Sequence, residues 1–133
     1  MLVISGIHIY WAFGGKWGVA VAVPELPQKA GAKAFSPGPI ATLLVAAGLA
    51  IMAGLHLHKI GWLPVSLPNW VDQYGLLLVG GIFFLRVIGD FRYVGYFKRI
   101  TDTAFAKMDT ALYIPLCLVI SISAFWTAVS PTL

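Results

Sequence analysis

Only five of the 133 residues carry a carboxylate, only one is a cysteine, and charged residues of both signs make up 11% of the chain. Each shortage excludes something. An ordinary soluble domain is about 25% charged. A chain this short buries too little of its surface to conceal the 59% of its residues that are hydrophobic. Lipid is the solvent that suits such a composition. The single cysteine, Cys117, leaves no partner within the chain for a disulfide or a dithiol redox pair. The net charge of +4 forms no basic stripe, so nucleic acid is not an expected partner. His56 and His58 stand two apart with no cysteine or third ligand near them, so no metal site is expected. No catalytic constellation can be read, and no catalytic residue is assigned.

What the chain does hold is long apolar runs. A helix needs about 20 mostly apolar residues to cross a bilayer. Ile40–Leu57 supplies them with only Thr42 and His56 polar, and Thr110–Val129 supplies them without a charge. Trp70–Gly89 does so with Asp72 near one end and Arg86 near the other. Met1–Phe13 is apolar but short, and it spans only by continuing through Gly14, Gly15 and Lys16 to Val23. It lacks the basic start and cleavage site of a signal peptide. The expectation is an all-α integral membrane four-helix bundle, a single domain over 1–133 with spans at about 1–23, 40–60, 70–90 and 109–129.

Pro24, Pro27, Pro37 and Pro39 mark the first loop, with Pro39 suited to a first helical turn. Pro64 and Pro68 mark a tight second connection. In a bundle of four spans, Lys16, Lys29, Lys33, Arg92, Lys98, Arg99 and Lys107 fall on one side and Lys59 on the other. Arg86 snorkels toward the crowded side. This bias predicts both termini outside and loops 24–39 and 91–108 cytoplasmic. Trp62 and Trp70 then mark the outer interface, and Trp17 and Tyr93 the inner one.

A few residues carry candidate chemistry. Arg86 and Asp90 stand four apart, the spacing of an ion pair on one helix face. Arg86, Arg92, Lys98 and Arg99 form a basic cluster at the end of the third span, with Tyr93, Tyr96 and Phe97 beside it. Such clusters attract anionic lipid at about 1 kcal/mol per charge. Asp109, before the fourth span, suits a helix N-cap, the alternative being an ion pair with a base from a cytoplasmic loop. His8 fits a satisfied core histidine. A sharper reading makes His8 and His56 the paired axial ligands of a haem, which requires them to lie at one depth. His58 and Lys59 fall at the headgroups. Pro115 predicts a kink. Gly48, Gly54, Gly80 and Gly81 offer close helix approach.

In "IHIYWAFGGKWG", "FSPGP" and "GDFRYVGYFKRITDTAFAKMDTALYIPLCL" the chain resembles a bacterial family of small four-helix membrane proteins, a domain of unknown function. The likeness covers nearly the whole chain. It implies four spans and a place in the bacterial inner (plasma) membrane, and it lends no activity, cofactor or catalytic residue. Relatives carry more apolar residues before the motif that contains His8.

The expected function is that of a non-enzymatic inner-membrane component, packing with lipid, with itself or with a larger membrane complex. The alternative is a membrane redox or lipid-modifying protein with a site near His8 and the Arg86–Asp90 pair. A small exporter is a third reading. It is disfavoured because Glu25, Asp72, Asp90, Asp102 and Asp109 all fall at or beyond span ends, and because no internal repeat stands out.

Overall fold

The computed structural model describes residues 1–26 and 32–130; Pro27 and Lys29, assigned above to the first loop, lie outside them. Proline and glycine set the helix limits. Helix α3, Pro39–Lys59, starts with Pro39 in its first turn. It stops where Gly61 takes φ +79° and the N–H groups of Trp62 and Leu63 return to the Leu57 carbonyl. Helix α4, Asn69–Ile88, follows Pro68 and ends at Gly89, φ +89°. Helix α5, Ala104–Met108, is capped by Thr103, whose Oγ1 accepts the Ala106 N–H at 3.1 Å. It runs through a wider π turn, Asp109–Tyr113, into α6, Ile114–Val129. In that turn the Ile114 N–H donates to the Asp109 carbonyl, five residues back. Pro115, which has no N–H, follows at the start of α6.

Three helical stretches, Pro39–Lys59, Asn69–Ile88 and Ala104–Val129, are long and apolar enough to cross a membrane. The first apolar segment is not. Helix α1, Leu2–Ala12, has 11 residues, a length of about 16 Å at 1.5 Å per residue. The continuous span expected over 1–23 is broken because Gly14 and Gly18 both take left-handed backbone, φ +89° and +77°. The chain folds back there, with the Trp11 indole N–H on the Trp17 carbonyl at 2.7 Å. Only a single turn, α2, Val19–Ala22, follows. Beyond it, Glu25 and Lys33 pair at 3.4 Å across a small antiparallel bridge.

The bundle is two helix pairs, α1 on α3 and α4 on α6. Their shared core holds Leu49, Val79, Phe83, Cys117, Ile120 and Ala124, with Met1 and Ile4 packed against it. The buried hydroxyls at the seams are satisfied, as burial away from water requires. Ser5 donates to the Ala46 carbonyl at 2.7 Å and Ser121 to the Gly80 carbonyl at 2.8 Å. Gly80 is the glycine that close packing requires, since a Cβ there would lie 2.7 Å from the Phe125 ring. Gly48, Gly54 and Gly81, expected to do the same, meet nothing within 4 Å. Ile40, Leu44, Leu78, Leu85, Val119 and Ile122 point outward. In water that arrangement would be costly; in lipid it is the expected outer face of an all-α membrane bundle. At the end of α3, Lys59 and His58 both approach Asp72 of α4, at 3.5 and 3.4 Å.

Candidate functional site

The chain leaving α4 makes a closed loop that its own sequence specifies. Gly89 and Gly95 both take positive φ, +89° and +88°, and their backbones touch. A Cβ on Gly89 would lie 1.7 Å from the Val94 carbonyl oxygen, and one on Gly95 would lie 2.4 Å from the Gly89 Cα. Only glycine fits at either place. Asp90 organises the residues between them. Its Oδ1 accepts the N–H groups of Arg92, Tyr93 and Val94 at 2.9, 2.7 and 2.9 Å. The loop then returns to α4, where Tyr96 N–H donates to the Val87 carbonyl at 2.7 Å, answering a helix end that would otherwise lack donors.

This fold-back points the Gly95 N–H at Asp109, whose Oδ2 accepts it at 2.9 Å. The Lys98 ammonium reaches the same oxygen at 3.2 Å, and Arg86 Nη2 reaches Oδ1 at 2.7 Å. Asp109 is fully buried, the Lys98 side chain is 3% exposed and that of Arg86 is 31% exposed. Lys98 also donates to Thr110 Oγ1 at 2.7 Å and to the Gly95 carbonyl at 3.2 Å. A lysine has three donors, and all three are matched here. Beside the centre, Tyr113 OH donates to the Val21 carbonyl at 3.2 Å and so joins α2 to the π turn before α6. A cleft of about 410 Å³ opens between Glu25, Leu26 and the segment from Arg99 to Ala104.

Several expected roles are reassigned by this geometry. Arg86 does not pair with Asp90 among the described residues. Helix α4 ends at Ile88, so Asp90 lies beyond the helix and the four-residue spacing no longer places it on the Arg86 face. Asp109 is not the helix N-cap, because Thr103, six residues before it (109 − 103), caps the helix. The alternative placed it in an ion pair with a loop base, and Lys98 is that base. Lys98 is therefore inside the protein and not at the lipid surface, whereas Arg92 and Arg99 are exposed. These two are held together, since the Arg92 carbonyl accepts the Arg99 N–H at 3.2 Å. The Arg92 guanidinium stands 5.1 Å from the Tyr93 ring centre.

His8 and His56 each turn a ring nitrogen to their own helix, Nδ1 on Ile4 O at 2.8 Å and on Met52 O at 3.1 Å. Ser5 and Ala46 fix the register of the two helices. His8 lies three residues from the first (8 − 5) and His56 ten from the second (56 − 46). At 1.5 Å per residue the two histidines differ in level by at least about 10 Å, whichever way the helices run. One iron could not take both, so the haem arrangement does not fit these residues. Asp109 stands five residues inside the helical stretch Ala104–Val129, and its partner Arg86 lies two residues from the end of α4.

A family model described as "Protein of unknown function (DUF3995)" matches residues 1–124. The chain belongs to this family. No curated protein and no solved structure matches it. The match to DUF3995 includes the loop and all three charged members of the buried centre. Sequence reasoning offered Asp109 an ion pair with a loop base but named neither Lys98 as that base nor Arg86 as a second partner. They stand 11 and 23 positions from Asp109, so no local periodicity joins them. The pair of glycines bracketing "DFRYV" was the available signal for a closed loop.

Asp90 gives this DUF3995 loop a defined pH dependence. Burial is the largest single influence on its carboxyl and pushes the pKa up. The backbone N–H groups of Arg92, Val94 and Tyr93 together outweigh it and hold the pKa below its ordinary 3.8. A lowered carboxylate pKa stabilises the fold above the ordinary value, and that contribution is lost as pH falls through the folded value. The amide resonances of Arg92, Tyr93 and Val94 are therefore expected to titrate with a midpoint below pH 3.8. A midpoint above that pH would refute the arrangement.

Proposed function

We propose that this DUF3995 protein is a non-enzymatic component of the bacterial inner membrane, a small bundle that packs with lipid, with itself or with a larger membrane complex. The observation that carries this reading is the engagement of Asp109. Both of its oxygens are taken by groups of its own chain, Arg86, Lys98 and the Gly95 N–H. A buried carboxylate held in this way organises structure, with both oxygens already engaged within the chain. Its effect is to draw the loop after α4 onto the helical stretch Ala104–Val129. The exposed Arg92, Arg99 and Lys107 then gather at one end of the bundle, and Lys59 at the other is paired with Asp72. By the positive-inside rule the loops 24–39 and 91–108 face the cytoplasm and the C-terminal end of α6 faces out.

A small proton-coupled exporter is the second reading, favoured by the full burial of the Asp109 carboxylate. One preparation separates the two. Native mass spectrometry and optical absorbance from a gentle detergent are expected to show the chain with lipid or a partner subunit, and only the aromatic absorbance band. Proteoliposomes of the same protein are expected to show no proton flux. A visible chromophore, or a flux abolished by Asp109→Asn, would overturn the structural reading.

A further inference from the structure

The buried centre is not electrically closed. Arg86 and Lys98 bring two positive charges and Asp109 brings one negative charge, a balance of +1. The mismatch has a specific location. Lys98 has acceptors for all three of its donors. Arg86 gives Nη2 to Asp109, but its Nη1 is buried and has no acceptor among the described residues. A buried donor without a partner costs about 1–3 kcal/mol, and more when it is charged. Two residues before the end of α4, Arg86 sits about 3 Å from the helix terminus, at the edge of the span and not at its middle. Other atoms of the side chain keep 31% exposure, so the guanidinium lies next to the membrane boundary although Nη1 itself is covered.

We infer that Arg86 Nη1 is the open donor of an anion site, one that takes a phosphate-type oxygen at the membrane boundary. An anionic oxygen there would give the guanidinium its missing acceptor and bring the cluster to neutrality. Guanidinium suits this role because its donors diverge in a plane, so that one can serve Asp109 while another serves the ligand. The same chemistry is offered by the phosphodiester of an anionic lipid and by free phosphate. The site rests on the ion-paired centre described above and adds a ligand class to it.

Delipidated protein in a neutral detergent tests this. Native mass spectrometry is run with phosphatidylglycerol and phosphatidylcholine in competition. Thermal unfolding is run in parallel with inorganic phosphate. The expected result is one retained phosphatidylglycerol per chain, with a preference of about ten-fold or more over phosphatidylcholine. Retention of this lipid without a phosphate effect identifies a headgroup site. A phosphate-dependent rise in Tm identifies a site open to the free anion, and either result supports the inference. Equal retention of the two lipids together with no phosphate effect overturns it.

Arg86→Lys is expected to abolish the preference. The double variant Arg92→Gln/Arg99→Gln, which alters only exposed cations, is expected to keep it within about three-fold. Loss of the preference in that double variant would place binding on the loop surface and overturn the inference. If Arg86→Lys does not fold, wild type and the double variant decide between these outcomes. Loss of anion binding with unchanged Tm in the delipidated chain would retire this inference and leave the structural reading standing.

Discussion

Asp109→Ala is expected to lower the unfolding free energy by about 3–5 kcal/mol, the range seen when one partner of a buried ion pair is removed. The carboxylate is fully buried and serves Arg86, Lys98 and the Gly95 N–H at once. Deleting it leaves the Lys98 ammonium, 3% exposed, without its counter-charge. It also releases the loop that Gly95 holds against the helical stretch Ala104–Val129. Unfolding in mixed micelles, followed by circular dichroism, measures the loss. Adding Lys98→Met to Asp109→Ala is expected to restore part of it, because an apolar side chain of similar length leaves no unpaired charge behind. A loss below about 1 kcal/mol for the single variant would show that the centre is not the tie described here.

The second large effect is expected at Gly95. Alanine there is forced into left-handed backbone, which costs about 1–2 kcal/mol. Its Cβ would meet the Gly89 Cα at 2.4 Å and the Ile88 carbonyl oxygen at 2.5 Å. Both obstacles are main chain and cannot rotate away. The combined loss for Gly95→Ala is expected to reach about 3 kcal/mol or more. Trypsin should then cut at Arg92, Lys98 and Arg99 far faster than in the parent. Gly81→Ala is the control. Nothing lies within 4 Å of the new methyl group, and alanine favours a helix over glycine by about 1 kcal/mol, so stability should hold or rise. Equal trypsin sensitivity of the two variants would refute the role given to Gly95.

These effects sit where sequence reading was weakest. Apolar runs were legible because hydropathy is a property of consecutive residues, and all three long helices lie where such runs occur. The first segment failed because its apolar composition continues past Ala12 while its backbone does not. Gly14 and Gly18 adopt conformations that end a helix without changing the mean hydropathy. Arg86 and Asp90 failed for a related reason: their spacing implies one face only while the helix persists, and Gly89 ends it between them. Asp109 looked like a cap because the apolar run begins after it. The helix itself begins earlier, at Thr103, whose hydroxyl takes the capping bond.

By itself the sequence determined an all-α membrane chain and the places of its three spanning-length helices, while the fourth span expected over 1–23 was not borne out, and its motifs determined the family. Lipid as solvent follows from a composition too apolar and too poor in charge for water. The tertiary structure alone decided which charges meet. Asp109 faces two cations 23 and 11 residues away because Gly89 and Gly95 fold the loop back on α4 and the π turn carries the carboxylate into the bundle. Ionic partners across such separations are set by where folded segments cross. Removal from water then makes the pairing obligatory, since a buried charge without a partner is too costly to keep.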